Sequence, residues 1–197
     1  TRSPNANASA IELPPGLQLG EYTIHRKIGS GGFGTVYTAS HTFIDETIAV
    51  KLIPVSSEVM VEAIKNEFAM RRCITDFTHI VRAWQPSTVS YNQQQFLAYP
   101  MELMDGVLTD RIPRNEPRLN EEWTRTVTEE IFPAICTGIA ECHQHGILHL
   151  DIKPSNVLLD EKGVPKITDF GISTAAQAGA VTGGSGTFGY AAPEQVA

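Results

Sequence analysis

The chain has 197 residues, 15 of them Lys or Arg and 22 Asp or Glu, for a formal charge of −7; 42% are apolar. That balance is globular, because a disordered chain carries fewer apolar residues and more uncompensated charge. It speaks against nucleic-acid binding through a broad basic surface, and no apolar run nears the roughly 20 residues of a membrane span. No basic start followed by an apolar stretch marks a secretory leader. Cys73, Cys136 and Cys142 are odd in number and lack CxxC spacing. They fit unpaired thiols in a reducing, cytoplasmic setting.

Residues 1–19 are rich in Ser, Asn, Ala and Pro without periodicity and are expected to be a flexible linker. Short β-rich runs follow at Tyr22 to Ile28, Thr35 to Ser40 and Thr47 to Ile53, separated by turn residues. The turn between the first two is Gly29-Ser30-Gly31-Gly32-Phe33-Gly34. Glycines so spaced admit phosphate oxygens close to backbone amides, although the same pattern also serves a plain hairpin. Strand formers Thr35, Val36 and Tyr37 come next, so a hairpin lid is expected and not the helix of a dinucleotide fold.

In Ile48-Ala49-Val50-Lys51-Leu52-Ile53, alternation puts Ala49 and Lys51 on one face and Ile48, Val50 and Leu52 on the other. Lys51 reads either as a phosphate ligand beneath the lid or as an edge-strand charge that discourages aggregation. The spacing predicts a helix over Ser57 to Ile74. On it Glu67 shares a face with Ala63, Ile64 and Ile74 and is the preferred partner for a buried lysine, with Glu62 the second candidate. Arg71, four residues on, could instead pair with Glu67 at the surface. A strand is expected over Gln95 to Leu103 and a long helix over Glu121 to His145. Apolar runs follow at Ile147 to Leu150 and Val157 to Leu159. Gly171 to Gly189 holds six glycines and few bulky residues, as a mobile segment would.

The decisive run is His149-Leu150-Asp151-Ile152-Lys153-Pro154-Ser155-Asn156, followed by Thr168-Asp169-Phe170-Gly171 and Ala192-Pro193-Glu194. With the glycine turn and Lys51 ahead of it, the chain resembles the eukaryotic-type (Hanks-type) Ser/Thr protein kinases, and is closest in wording to bacterial members. The resemblance runs from about Tyr22 to Glu194. It implies an α+β, bilobal kinase-like fold, with a β-rich lobe over 20–104 and a helical lobe over 105–197. It also implies ATP and Mg2+ as cofactors and a protein with a Ser or Thr hydroxyl as the partner. By resemblance Asp151 accepts the hydroxyl proton and Lys153 neutralises the transferring phosphoryl group, while Asn156 and Asp169 hold Mg2+. Lys51, supported by Glu67, meets the phosphates. Ile28, Gly29, Gly31, Gly34, Val36, Ala49, Met101 and Leu158 line the nucleotide site. Backbone atoms of Glu102 and Met104 bond the adenine. Lys153 and the Gly186-Thr187 run favour Ser/Thr acceptors, with Thr187 close to Asp151 and Lys153.

Three departures stand out. Leu150 replaces the usual Arg of His-Arg-Asp and cannot read a phosphate on Ser173, Thr174, Thr182 or Ser185. Arg71 stands where the family carries a bulky apolar residue directed toward the Phe of Asp-Phe-Gly. The chain ends three residues after Glu194, whereas the family usually continues with several helices. An incomplete larger lobe is therefore expected, with an apolar patch covered by self-association or by a partner. Rival readings are a catalytically weak kinase-like binding module and a small-molecule phosphotransferase. The complete Lys51, Asp151, Asn156 and Asp169 set argues against the first.

Overall fold

A computed structural model describes residues 12–31, 34–113, 120–170, 187 and 189–191. The expectations for residues 1–11, for Gly32 and Phe33, for Gly171 to Gly186 with its acceptor residues, and for Ala192-Pro193-Glu194 lie outside the described residues. Two compact units emerge, one formed by residues up to Val55 with Pro86–Met101, the other by Ser56–Gln85 with Glu102 onward. This differs from a boundary at 104/105. The helix after Lys51 groups with the second unit, because Arg71 and the residues that follow it pack on that unit's core.

The first unit is an antiparallel sheet. Strands β1 (Gln18–Leu19), β2 (Tyr22–Gly31), β3 (Gly34–His41), β4 (Ile44–Pro54), β5 (Ser87–Tyr91) and β6 (Gln94–Glu102) run in the order β1-β2-β3-β4-β6-β5. Each of β2 to β4 alternates large apolar with polar or small residues, and the sheet buries Tyr22, Ile24, Tyr37, Ile48, Val50 and Leu97 almost completely. Fully burying one such side chain contributes about 1.5–3 kcal/mol. The linker expectation extends too far. Gly16 N–H donates to Ile24 O at 2.7 Å, Leu13 N–H donates to the Tyr37 hydroxyl at 3.2 Å, and Leu13 and Leu19 are buried. Ordered structure therefore starts before residue 20, because two apolar anchors pin this stretch to the sheet. Asn92 and Gln93, both at positive φ, turn the chain between β5 and β6.

The second unit is mostly helical. Helix α1 (Glu58–Arg71) starts where the Ser57 hydroxyl accepts from Met60 N–H at 3.2 Å, and buries Met60, Ile64 and Arg71. Strand β7 (Gly106–Val107) leads into α2 (Leu108–Arg111). The helix expected over Glu121 to His145 has three parts: α3 (Glu121–Thr126), a π turn (Val127–Ile131) and α4 (Phe132–Gln144). Pro133 explains the wide turn. It has no N–H, and in a regular helix its ring would meet the carbonyl of Glu129. The chain instead widens there, with Phe132 N–H reaching back to Val127 O. Strands β8 (Val157–Leu159) and β9 (Pro165–Ile167) complete a small sheet in the order β7-β8-β9. Ile74, Ile80, Leu108, Ile131, Cys142, Ile147, Val157, Ile167 and Phe170 form this unit's core. Among the described residues no helix is long and apolar enough to cross a membrane, and the three cysteines are free thiols.

Candidate active site

In the first unit the glycine turn is a hairpin end, with Gly29 opposite Val36, Ser30 opposite Thr35 and Gly31 opposite Gly34. A Cβ added at Gly29 or Gly31 would meet nothing within 4 Å, so the backbone there is open to an approaching group. Gly34 is different: its φ is +155°, and a Cβ would stand 2.2 Å from Leu52 O. Only glycine lets β3 lie that close to β4.

Lys51 pairs with Val36, and Ala49 with Thr38. Antiparallel register therefore places Gly29, Val36, Ala49 and Lys51 on one face of the sheet. Lys51 is buried, and β4 lies between β3 and β6, which removes the edge-strand reading of this lysine. Met101 is buried near the end of β6, while Ile28 is 40% exposed. Glu67 lies in α1, but its side chain is outside the described residues.

The second unit gathers the remaining chemistry. Pro154–Asn156 forms a single 3-10 turn that brings Asn156 back over Asp151. Asn156 Nδ2 donates to Asp151 O at 2.9 Å and to Asp151 Oδ2 at 3.1 Å. Lys153 Nζ lies 2.7 Å from Oδ2 of the same carboxylate and donates to Thr187 Oγ1 at 2.6 Å. Thr187 in turn gives Asp151 Oδ1 its hydroxyl at 2.8 Å and its backbone N–H at 3.1 Å. Burial pushes the Asp151 carboxyl up, but the Lys153 and Thr187 hydrogen bonds, the Lys153 charge and Asn156 outweigh it, and the group sits below its ordinary value. Asp151 is thus a carboxylate at neutral pH with both oxygens held.

His149, two residues ahead, donates from Nε2 to Thr168 O at 2.8 Å, and its Nδ1 accepts from Asp151 N–H at 3.3 Å. One donor and one acceptor require the neutral ring. Burial agrees, holding its pKa below 6.5 despite the Thr168 carbonyl and the Asp151 and Asp169 charges. The sign of the resulting pH dependence is fixed. Just below pH 6.5 the unfolded chain binds the proton and the folded chain does not, so this contribution is complete above 6.5 and is lost as pH falls toward the folded value. Urea midpoints at roughly pH 7.5 and 5.5 should therefore differ more in the parent than in His149→Gln.

Thr168 O, held by His149, precedes Asp169, which adopts a left-handed φ of +60°. Leu150, at the place of the usual arginine, is also left-handed, with φ +63°. Both Asn156 Nδ2 hydrogens are engaged by Asp151, so its amide oxygen is the atom suited to a cation. The backbone carrying Asp169 is tied to Asn156, Thr168 N–H donating to Asn156 O at 3.0 Å, and the Asp169 carboxylate would be the second hard oxygen donor. That suits Mg2+, which characteristically takes one or two protein oxygens together with substrate phosphates. Glu102 and Met104 lead out of β6. Glu102 N–H already donates to Arg82 O at 2.9 Å, and its carboxylate takes Lys166 Nζ at 3.0 Å and Arg82 N–H at 2.8 Å. Its carbonyl, not its N–H, is therefore the atom suited to a base. Leu158 is half-buried on β8, opposite Val107 and Lys166.

Arg71 lies where the resemblance puts it, toward the Phe of Asp-Phe-Gly, and its alternative place at the surface is the one to be corrected. It is 7% exposed, with its guanidinium carbon 4.5 Å from the centroid of the Phe170 ring, so Arg71 is not the surface residue of that alternative.

A six-stranded sheet with a glycine hairpin, a helical unit and the Asp151 network together define a protein-kinase-like, α+β fold. The chain belongs to the protein kinase domain family, whose model matches residues 22–197. It is 32% identical over 195 residues to the probable serine/threonine-protein kinase PknB of Lactococcus lactis subsp. lactis, covering 91% of this chain and 29% of that protein. It is 34% identical over 184 residues to the SNF-related serine/threonine-protein kinase of Rattus norvegicus, covering 91% of this chain and 24% of that one. The chain thus spans only a quarter to two-fifths of such curated relatives. Among solved structures, the Mycobacterium tuberculosis PknI kinase domain shares the fold at a TM-score of 0.64 and 23% identity, over 87% of this chain and 71% of that one.

Proposed function

We propose that this domain transfers the γ-phosphate of ATP to a Ser or Thr hydroxyl of a protein. The observation that carries the reading is the fully bonded Asp151 carboxylate, held by Lys153, Asn156 and Thr187. In the transfer the acceptor oxygen bonds to the γ-phosphorus, the bond to the bridging β–γ oxygen breaks, and ADP leaves. A carboxylate of lowered pKa is too weak a base to ionise an alcohol beforehand. Asp151 instead orients the hydroxyl and receives its proton as the P–O bond forms. Lys153, already an ammonium beside Asp151, offsets the charge spread over the phosphoryl oxygens. When bound, Mg2+ at Asn156 and Asp169 supplies charge neutralisation at the phosphate oxygens.

Lys51, with Gly29, Gly31, Gly34, Val36 and Ala49 on or beside its sheet face, is the phosphate-holding side of the same reading, and Glu67 is its proposed partner. Ile28, Met101, Leu158 and the Glu102 and Met104 backbone are the proposed base contacts. Free thiols at Cys73, Cys136 and Cys142 accord with a cytoplasmic setting. Labelled-ATP transfer to a generic protein substrate tests the reading. The parent should transfer label, and Lys51→Met should lower turnover by about two orders of magnitude through lost phosphate placement. A parent that binds ATP without transferring phosphate would instead support the binding-module alternative.

A further inference from the structure

We propose that residues 12–19 form a strap that grips the base of the glycine hairpin, and that Leu13 is a positioning residue for nucleotide phosphates, acting through Tyr37. The phosphate role of that hairpin rests on the kinase reading above. Cross-strand register gives the sheet two faces. Val36, Ala49 and Lys51 stand on one, while Leu19, Tyr22, Ile24, Tyr37 and Val50 stand on the other and are almost completely buried. The strap runs across this second, apolar face. Leu13 is buried there, and its N–H donates to the Tyr37 hydroxyl at 3.2 Å.

Both strands of the hairpin are held. On β2, Gly16 N–H donates to Ile24 O at 2.7 Å and Ile24 N–H donates to Leu17 O at 2.9 Å. On β3 the point held is the Tyr37 hydroxyl. Pro15 and Gly16 turn the chain between these holds: Leu17 N–H donates to Pro14 O at 3.2 Å, and Gly16 takes the φ of +83° that such a turn requires of its third residue. Further on, Leu19 pairs with Tyr22, and the turn at Gly20 brings β1 against β5. A Cβ at Gly20 would stand 3.1 Å from Val89 Cγ1, and the Tyr22 hydroxyl lies 3.3 Å from Ser87 Oγ. The strap is therefore anchored at both ends, by Leu13 on Tyr37 and by β1 beside β5.

This grip ends before the glycines begin. Ile24 lies ahead of Gly29, and Tyr37 follows Gly34 with two residues between. Past Ile24 the register of β2 against β3 shifts twice, between Ile24 and Arg26 and between Lys27 and Gly29, and Arg26, Lys27 and Ile28 are exposed. The hairpin is thus a lever with a clamped base and an open end. Phosphates that meet the open end have to remove its freedom of motion, and a clamped base leaves less of it to remove. With the strap released, the chain bends at the first shift as well as at the second, and more of the hairpin must be ordered by the ligand.

The test uses Leu13→Ala, Leu13→Met and Gly16→Val in the same chain. Three readouts are taken: titration with Mg-ATP and with adenosine, KM and kcat for transfer, and hydrogen exchange of the amides of Lys27 and of Tyr37 to Ala39. Leu13→Ala should raise the Kd and KM for ATP about tenfold, since ordering the hairpin then falls to the nucleotide. It should leave kcat and the adenosine Kd within about twofold, because adenosine has no phosphates for the open end to meet. Exchange of the hairpin amides should quicken about tenfold while that of α4 keeps its parental rate. Leu13→Met, which still fills the apolar site, should restore the parental values. Gly16→Val should reproduce Leu13→Ala by another route. A Cβ at Gly16 meets nothing within 4 Å, so valine strains only the positive φ of the turn.

Parental ATP affinity in Leu13→Ala would overturn the proposal even if the hairpin amides exchange faster, since the strap would then stabilise the sheet without positioning anything. An equal loss of ATP and adenosine affinity would overturn it too, as would unchanged exchange. If Leu13→Ala does not unfold cooperatively, Gly16→Val decides on the same readouts. A parent that binds no ATP would refute the kinase reading instead. The exchange data would still decide the grip itself: faster hairpin exchange in Leu13→Ala and Gly16→Val supports it, and parental exchange in both overturns it.

Discussion

Asp151→Asn is expected to lower phosphate transfer by about three orders of magnitude, within the range that removal of a general base produces, while nucleotide affinity changes by no more than about twofold. The geometry gives two separate reasons. The first is chemical, since an amide cannot take the acceptor's proton. The second is structural. Both carboxylate oxygens accept hydrogen bonds: Oδ1 from the Thr187 hydroxyl and N–H, Oδ2 from Lys153 and Asn156. Asparagine offers one acceptor oxygen and one NH2, so whichever way it turns, donors face donors on one side. If the NH2 faces Lys153 and Asn156, the ammonium loses its anion; if it faces Thr187, that residue loses its anchor. Nucleotide binding should survive, because the proposed base contacts and the Lys51 and glycine-hairpin side of the phosphate site are separate from these donors, and the Asn156 amide oxygen proposed for Mg2+ is not the atom that bonds Asp151. Transfer assays and nucleotide titration of the parent and the variant check both halves. Near-parental turnover in a folded Asp151→Asn protein would remove Asp151 from the chemistry.

Why the surroundings of Asp151 could be read from a short run, and those of Arg71 only through the family resemblance, follows from where each residue's partners lie. Asp151, Lys153 and Asn156 are held together by one 3-10 turn, and His149 reaches the Asp151 N–H two residues on, so a short run of sequence carries most of the site. The strands were legible for a similar reason. Alternation in β2 to β4 is local, and β hydrogen-bonded neighbours such as Val36 and Lys51 follow from one hairpin. Arg71 has its nearest acidic neighbour in sequence at Glu67, which suggests a surface pair, yet it is buried, with its guanidinium on Val81 O and the Phe170 ring. Spacing on one helix cannot show a ring contributed by a distant turn. Residues 12–19 failed for a related reason. Leu13, Leu17 and Leu19 stand without a period among prolines, a glycine and polar residues, and only the Tyr37 hydroxyl and the sheet behind it reveal that Leu13 and Leu19 are anchored. The helical register of 121–145 was visible, whereas the width of the turn at Pro133 depends on backbone geometry that periodicity does not encode.

Gly138→Ala should destabilise the chain by about 2–3 kcal/mol, the upper part of the range for overpacked cores, although alanine is the better helix former by about 1 kcal/mol. Gly138 sits on the buried face of α4 with Ala134 and Cys142, one turn to either side. A Cβ there would stand 2.6 Å from His79 O and 3.2 Å from Ile167 Cδ1. The isoleucine can rotate aside, but the carbonyl cannot, because it accepts from Ile167 N–H at 3.0 Å. Relieving the clash means moving either α4 or the backbone that carries β9. That strand leads within two residues to Asp169, so the damage should reach transfer as well as stability. Thr137→Ala, next to it but exposed on the same helix, is the comparison, with an expected change within about 0.5 kcal/mol. Urea midpoints give the stability difference and labelled-ATP transfer gives the second. Equal midpoints for the two variants would mean that α4 and the His79 carbonyl can separate freely, and that this close approach does not hold β9 in place.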